Sequence, residues 1–227
     1  MRKLIALLTL TTGFFIATNT VSASPTTEFE KGAVSVEIGS TLDSKVSGKG
    51  KVSADVVGEF GFKATATAGL NDHLAIQLKH GMFKSEESTI PTALGSLTTY
   101  AKAEPSDLNL LYKVNPNLTF ITGYEYTKIS YGAHVHDASK SALHFGLTGT
   151  HKLNDKYTLF ATLLGGKDVS LKEVGVSYKM SNSTTFNVSY AERKVENVDL
   201  KLKATTLLDG KEDYTMKGIS CLFAFKL

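Results

Sequence analysis

From Val34 onward the chain alternates apolar and polar residues with period two, stretch after stretch. Val34, Val36 and Ile38 interleave with Ser35, Glu37 and Gly39, and Phe60, Phe62, Ala64 and Ala66 with Glu59, Gly61, Lys63 and Thr65. Leu74, Ile76 and Leu78 are set against Ala75, Gln77 and Lys79. The same rhythm returns at 108–114, 120–126, 143–148, 174–180, 186–191 and 219–227, while YTLFATLLGG (157–166) fits either phase. Side chains on a strand point alternately to its two faces, so this pattern predicts ten strands. No stretch has the 3.6-residue apolar period of an amphipathic helix, and the fold class is all-β.

The connections alternate too. LNDH (70–73), NPN (115–117), LNDK (153–156) and SNS (181–183) are tight turns, because Asn, Asp and Ser bond to nearby backbone and Pro fixes φ. Between them lie longer polar connections at about 43–55, 84–106, 131–140 and 192–212, with a short GGKD at 165–168. Consecutive strands run in opposite directions, so the tight turns share one end and the longer loops the other. An even strand count leaves both chain ends on the tight-turn side. Val198, Leu200 and Leu202 share the parity of Phe186, Val188 and Tyr190, which extends the ninth strand toward a turn at Asp209-Gly210.

Sorted loop lengths are the layout of a transmembrane β-barrel, whose apolar face meets lipid and whose polar face lines the lumen. The polar face carries Glu37, Glu59, Lys63, Lys79, Lys113, Glu125, Glu173, Lys179 and Lys226, with Gly39, Gly61, Gly81, Gly123, Gly146 and Gly175 among them. Glycines weaken a solvent-facing strand but make room in a crowded lumen, so these charges are expected to form a mutually neutralising internal network. On the apolar face, Tyr112, Phe120, Tyr178 and Phe186 fall near the tight turns, and Phe60, Tyr126, Phe145 and Tyr190 toward the loops. Two such rings suit the two headgroup levels of a bilayer. Lys172 shares the parity of Val174 but lies toward the loops, where its stem can snorkel to water.

The first residues change the picture of where this happens. MRKLIALLTLTTGFFIATNTVSA has a basic start, an apolar run and a Val-Ser-Ala site, the layout of a signal peptide cleaved after Ala23. The expected organisation is a signal peptide at 1–23 and one barrel domain at 24–227. Removing the signal takes away two of 25 basic residues and no acidic one, leaving 23 against 22, a balance that favours no nucleic-acid partner. Cys221 is the single cysteine, which excludes an internal disulfide.

Taken together, the chain resembles the small outer-membrane β-barrel proteins of diderm bacteria, of the eight- to ten-stranded opacity or surface-protein type. The resemblance implies an antiparallel up-and-down barrel of ten strands, with eight as the alternative, in the cell outer membrane. It also implies that Ile219, Cys221, Phe223, Phe225 and Leu227 in the last strand are read by the barrel-assembly machinery, with Leu227 standing where Phe is usual. The expected role is structural or surface interaction through loops 43–55, 84–106 and 192–212, with outer-membrane lipid around the barrel. The lumen is expected to be largely filled by side chains; the alternative is a narrow channel for small solutes.

Candidate chemistry is sparse. His134, His136 and Asp137 share a loop and could begin a zinc site, but no second cluster supplies further ligands. The ten-strand count also resembles the outer-membrane proteases, yet the mature chain lacks an Asp-x-Asp. His136 with Ser139 could be forced into the His–Ser role of lipid A-modifying enzymes. No enzyme activity, cofactor, catalytic residue or metal is expected.

Overall fold

The computed structural model describes residues 29–49, 58–92, 95–132, 138–200 and 210–227; the predicted signal peptide lies outside them. Alternating sequence becomes strand throughout: β1 (Val34–Lys49), β2 (Glu59–Gly69), β3 (Leu74–Lys84), β4 (Ser88–Thr92), β5 (Gly95–Thr99) and β6 (Ala101–Asn115). These are followed by β7 (Leu118–Tyr131), β8 (Ala138–Lys152), β9 (Tyr157–Gly166), β10 (Val169–Lys179), β11 (Thr184–Leu200) and β12 (Gly210–Lys226). Ten of them close an antiparallel barrel in the order β1-β12-β11-β10-β9-β8-β7-β6-β3-β2, while β4 and β5 form a separate two-stranded sheet. Closure comes from β1 pairing with β12, from Ser35 opposite Lys226 to Lys49 opposite Asp213. With the ring closed, every barrel strand has a hydrogen-bonded neighbour on both sides, which hydrocarbon demands of any backbone that crosses it.

The tight turns form as their side chains dictate. Asn71 Oδ1 accepts from the backbone N–H of His73 and Leu74, both at 2.8 Å, and Asn154 Oδ1 accepts from Lys156 and Tyr157 at 2.8 and 3.0 Å. Asn115 Oδ1 and Ser181 Oγ do the same for Asn117 and Ser183.

Burial labels the two faces. Gln77, Asn109, Thr119, His144 and Asn187 are buried, whereas Phe60 and Leu143 are 74% and 73% exposed. The oily face is outside. Exposed Leu108, Leu110, Phe120, Tyr124, Phe145, Leu163, Val176 and Phe223 continue it around the barrel, an apolar belt that water would not tolerate but lipid matches. The segment of undecided phase resolves the same way, with Tyr157, Leu159 and Leu163 outward and Phe160, Thr162 and Leu164 inward. Tyr157 thereby joins the tight-turn aromatic ring, 5.1 Å from Tyr178 between centroids, and Phe186 and Phe223 stand 5.0 Å apart.

The longer connections are less loop-like than expected. The 84–106 stretch holds β4, β5 and the start of β6; 192–212 holds the top of β11 and the start of β12; and β1 runs to Lys49. Nor does β11 keep one parity. A bulge between Val195 and Val198, with Asn197 at φ 54°, turns both valines inward, although Val198 has the parity of outward-facing Val188. The added residue shifts the alternation by one.

Candidate functional site in the barrel lumen

The lumen is filled in three layers. Toward the loops, Val46, Ile129, Val195, Val198, Tyr214 and Met216 meet at the axis, each no more than 1% exposed. Toward the tight turns, Phe29 folds in ahead of β1 and joins Ala75, Leu111 and Ile121. Gly32 N–H donates to Gly69 O at 2.9 Å, and Gly32, at φ +79°, supplies the left-handed turn that brings Phe29 under the barrel. Lys113 Nζ lies 5.2 Å from the Phe29 ring centroid, and Lys226 Nζ 3.6 Å from Glu30.

Between these apolar layers lies a charged one. Strand register aligns Glu37, Thr65, Lys79, Asp107 and Glu125 across five adjacent strands of one wall. The opposite wall supplies Arg193. Counting round the barrel, β11 stands five places from β6 in either direction, so Arg193 spans the full bore. Its guanidinium donates to both oxygens of Asp107, at 2.9 and 2.7 Å, and pairs with Glu125 Oε2 at 2.6 Å. Thr127 Oγ1 donates to the other Glu125 oxygen at 2.7 Å. A second crossbar runs from Lys63 on β2 to Glu173 on β10 at 2.7 Å, and Ser189 Oγ donates to the same Glu173 oxygen at 2.8 Å.

A neutral chain of hydrogen bonds rings the wall beside the charges. His144 Nε2 and Asn109 Oδ1 are 2.8 Å apart, Asn109 Nδ2 donates to Gln77 Oε1 at 3.2 Å, and Gln77 Nε2 donates to Thr67 Oγ1 at 3.1 Å. The first bond passes over β7 at Gly123, where a Cβ would fall on Asn109 Oδ1 and 2.9 Å from His144 Nε2. Glycine is required there because two side chains meet across its strand.

Of the expected lumen charges, Glu37, Lys63, Lys79, Glu125 and Glu173 meet in this central layer. Glu59 instead pairs with Lys84 at 2.7 Å near the loop end, and its side chain is 38% exposed. Lys113 and Lys226 lie at the tight-turn mouth, and Lys179 ends β10 at that same end. Asp107 and Arg193 are missing from the expected charges: Arg193 falls inside 192–212, which reads as a loop, and Asp107 between the connection at 84–106 and the alternation that begins at Leu108. Carrying the odd register of Asn187, Ser189 and Ala191 one step further would have found Arg193.

Asp107, Glu125 and His144 offer ligand atoms within 4.8 Å of one another, a spacing a metal could use. The Arg193 guanidinium takes both Asp107 oxygens and one Glu125 oxygen, and Thr127 takes the last, so the donor set is already spent on a resident cation. His134, His136 and Asp137 lie outside the described residues, and Ser139 is exposed at the start of β8. In the last strand Ile219, Phe223, Phe225 and Leu227 face outward and exposed, with the free Cys221 half-buried between them.

Two small cavities lie among the described residues of the charged layer. One cavity of about 30 Å³ is lined by Lys79, Asp107, Glu173 and Arg193, and another of about 20 Å³ by Glu37, Lys63, Lys79 and Asn187. Each has room for about one water, not for a solute file.

No family model matches the sequence, and no curated protein does. Solved structures do. The outer membrane protease OmpT from Escherichia coli is similar at a TM-score of 0.60 and 13% identity, over 89% of this chain and 99% of that one. The outer membrane protein OprG from Pseudomonas aeruginosa is similar at 0.43 and 13%, over 89% and 99%, and Neisserial surface protein A at 0.43 and 11%, over 87% and 100%. At these identities the likeness is one of fold: the chain is built as a small outer-membrane-type β-barrel.

Proposed function

We propose that this protein is an integral outer-membrane barrel with a sealed lumen, acting as a structural platform that presents its loop end for surface interaction. The observation that carries the reading is the Arg193 crossbar, a guanidinium held by two carboxylates across the bore beneath a layer of fully buried apolar side chains. Ions moving along the axis would have to break a desolvated pair and then cross an oily plug, and both steps are costly. Outer-membrane lipid would surround the belt, and assembly would begin from Ile219, Cys221, Phe223, Phe225 and Leu227. An extracellular partner would meet the segments at 43–55, 84–106 and 192–212.

Membrane placement is tested by fractionation with a heat-modifiability gel. The barrel is expected in the outer-membrane fraction with a folded band that shifts on boiling; a soluble pool would contradict it. The protein is proposed to be non-enzymatic, so H134A and H136A variants should leave every phenotype unchanged. A second reading, a narrow channel, draws on the two cavities that share Lys63, Lys79 and Glu173. Single-channel recordings separate the two.

A further inference from the structure

Among the described residues, two charges of the central layer have no direct partner. Lys63 is held by Glu173, and Arg193 by Asp107 and Glu125, but neither Glu37 nor Lys79 makes an ion pair or a side-chain hydrogen bond there. Register puts both on one face, with Glu37 of β1 opposite Thr65 of β2 and Thr65 opposite Lys79 of β3. Strands stand about 4.8 Å apart, so roughly 10 Å separates the two backbones, with only the short Thr65 side chain between. Both side chains line the cavity of about 20 Å³, and so does Asn187 of β11, two strands beyond β1 round the ring. Asn187 is 2% exposed, and neither its Nδ2 nor its Oδ1 has a hydrogen-bond partner among the described residues. Its neighbours across the ladders leave it so: Leu222 on β12 is apolar, and the Ser177 hydroxyl on β10 is itself buried and unpartnered.

A buried amide left unpaired is costly, so whatever fills the cavity has to answer Asn187 at both ends. Turned either way, the amide offers one donor end and one acceptor end, while Lys79 adds donors and Glu37 acceptors. The charges around the cavity cancel, Glu37 and Glu173 against Lys63 and Lys79. A bare cation would satisfy the amide oxygen, leave the nitrogen unpaired and stand against two ammonium groups. An anion would satisfy the nitrogen and stand against two carboxylates. A neutral molecule that accepts twice and donates twice answers every one of these groups, and about 20 Å³ holds about one water.

We propose that Glu37, Lys79 and Asn187 bind a single ordered water, which accepts from Asn187 and Lys79 and donates to Asn187 and Glu37. That water joins Glu37 to Lys79 as a third crossbar, indirect where those of Arg193 and Lys63 are direct, and it excludes ions of either sign from the cavity. The proposal rests on the sealed-lumen reading, which bilayer conductance tests separately. The refolded mature barrel is crystallised and soaked in rubidium chloride or in sodium bromide. One density peak should stand within hydrogen-bond reach of all three side chains, with no anomalous signal from either ion. An anomalous peak there, from rubidium or from bromide, or a cavity without density, would overturn the water. In solution, N187L keeps the branched shape of Asn without its polar atoms. If the amide is hydrated, N187L strands the water and should raise the unfolding equilibrium constant in urea by about tenfold. A variant more stable than wild type would mean a dry amide and would overturn the proposal; should N187L fail to fold, the wild-type crystals decide. An empty cavity in a barrel that is silent in bilayers sinks the water and leaves the seal standing, whereas a conducting barrel sinks both.

Discussion

Arg193 is buried on one wall, and both of its partners come from the other. Truncating it strands two carboxylates in a dry interior, whereas removing all three charges together leaves only a packing problem. The Arg193→Ala variant should therefore lose about 3–5 kcal/mol in urea unfolding from vesicles. An Arg193→Met, Asp107→Leu, Glu125→Leu variant should recover most of that loss. Gly123→Ala tests the neighbouring chain: its methyl would fall between Asn109 and His144 and leave buried polar atoms unpaired, costing about 1–3 kcal/mol in the same assay. Parity alone is enough to put Glu37, Lys63, Lys79, Glu125, Glu173 and Gly123 on one face of their strands, but not to separate the central layer from Glu59 near the loops or Lys226 at the tight-turn mouth. Arg193's reach was not legible in the sequence, because which strands stand opposite follows from the ring order, which no local pattern encodes.

At the scale of elements, the ten strands and four tight turns were readable, and the upper halves of β6, β11 and β12 were not. The reason is a reversal at the edge of the membrane belt. Within it, Tyr190 and Ile219 face out and Ser189 and Ser220 face in; above it, Lys194 and Lys217 face out while Val195, Met216 and Tyr214 pack inside. Above lipid the barrel is patterned like a soluble one, so a reader following a single rule sees the signal dissolve and assigns a loop. The β9–β10 turn belongs to that upper region. Asp168 there, at φ 68°, binds Lys140 Nζ at 2.8 Å and accepts from Asn197 Nδ2 at 2.8 Å. The hydrogen bond from Lys140, and then that from Asn197, holds its carboxyl below the ordinary range. A depressed carboxyl stabilises the fold above its unfolded pKa, about 3.9, and that contribution is lost as pH falls through the lower folded value. Asp168→Asn should thus lower the thermal midpoint at pH 7, and the gap to wild type should close below about pH 4. At the other end of the chain, F223S/F225S removes the paired aromatic face of β12 and should reduce the heat-modifiable, membrane-inserted fraction in cells; unchanged insertion would remove these two residues from any assembly signal.

Taken whole, the molecule is an inside-out protein in its lower half and an ordinary one in its upper half, with a charged layer between two apolar ones along a single axis. That stacking leaves, among the described residues of the charged layer, cavities of about 30 and 20 Å³ within a ring of ten strands. The proposed platform role rests on one property, a lumen that the described side chains close to ions. The direct measurement is single-channel recording of the refolded barrel in planar bilayers, wild type beside Arg193→Ala and a Val195→Ser, Met216→Ser variant. The sealed-lumen account predicts a silent wild type, with stable steps, if any, only in the variants that lose the crossbar or the apolar layer. Stable, reproducible conductance steps from the wild type would contradict it.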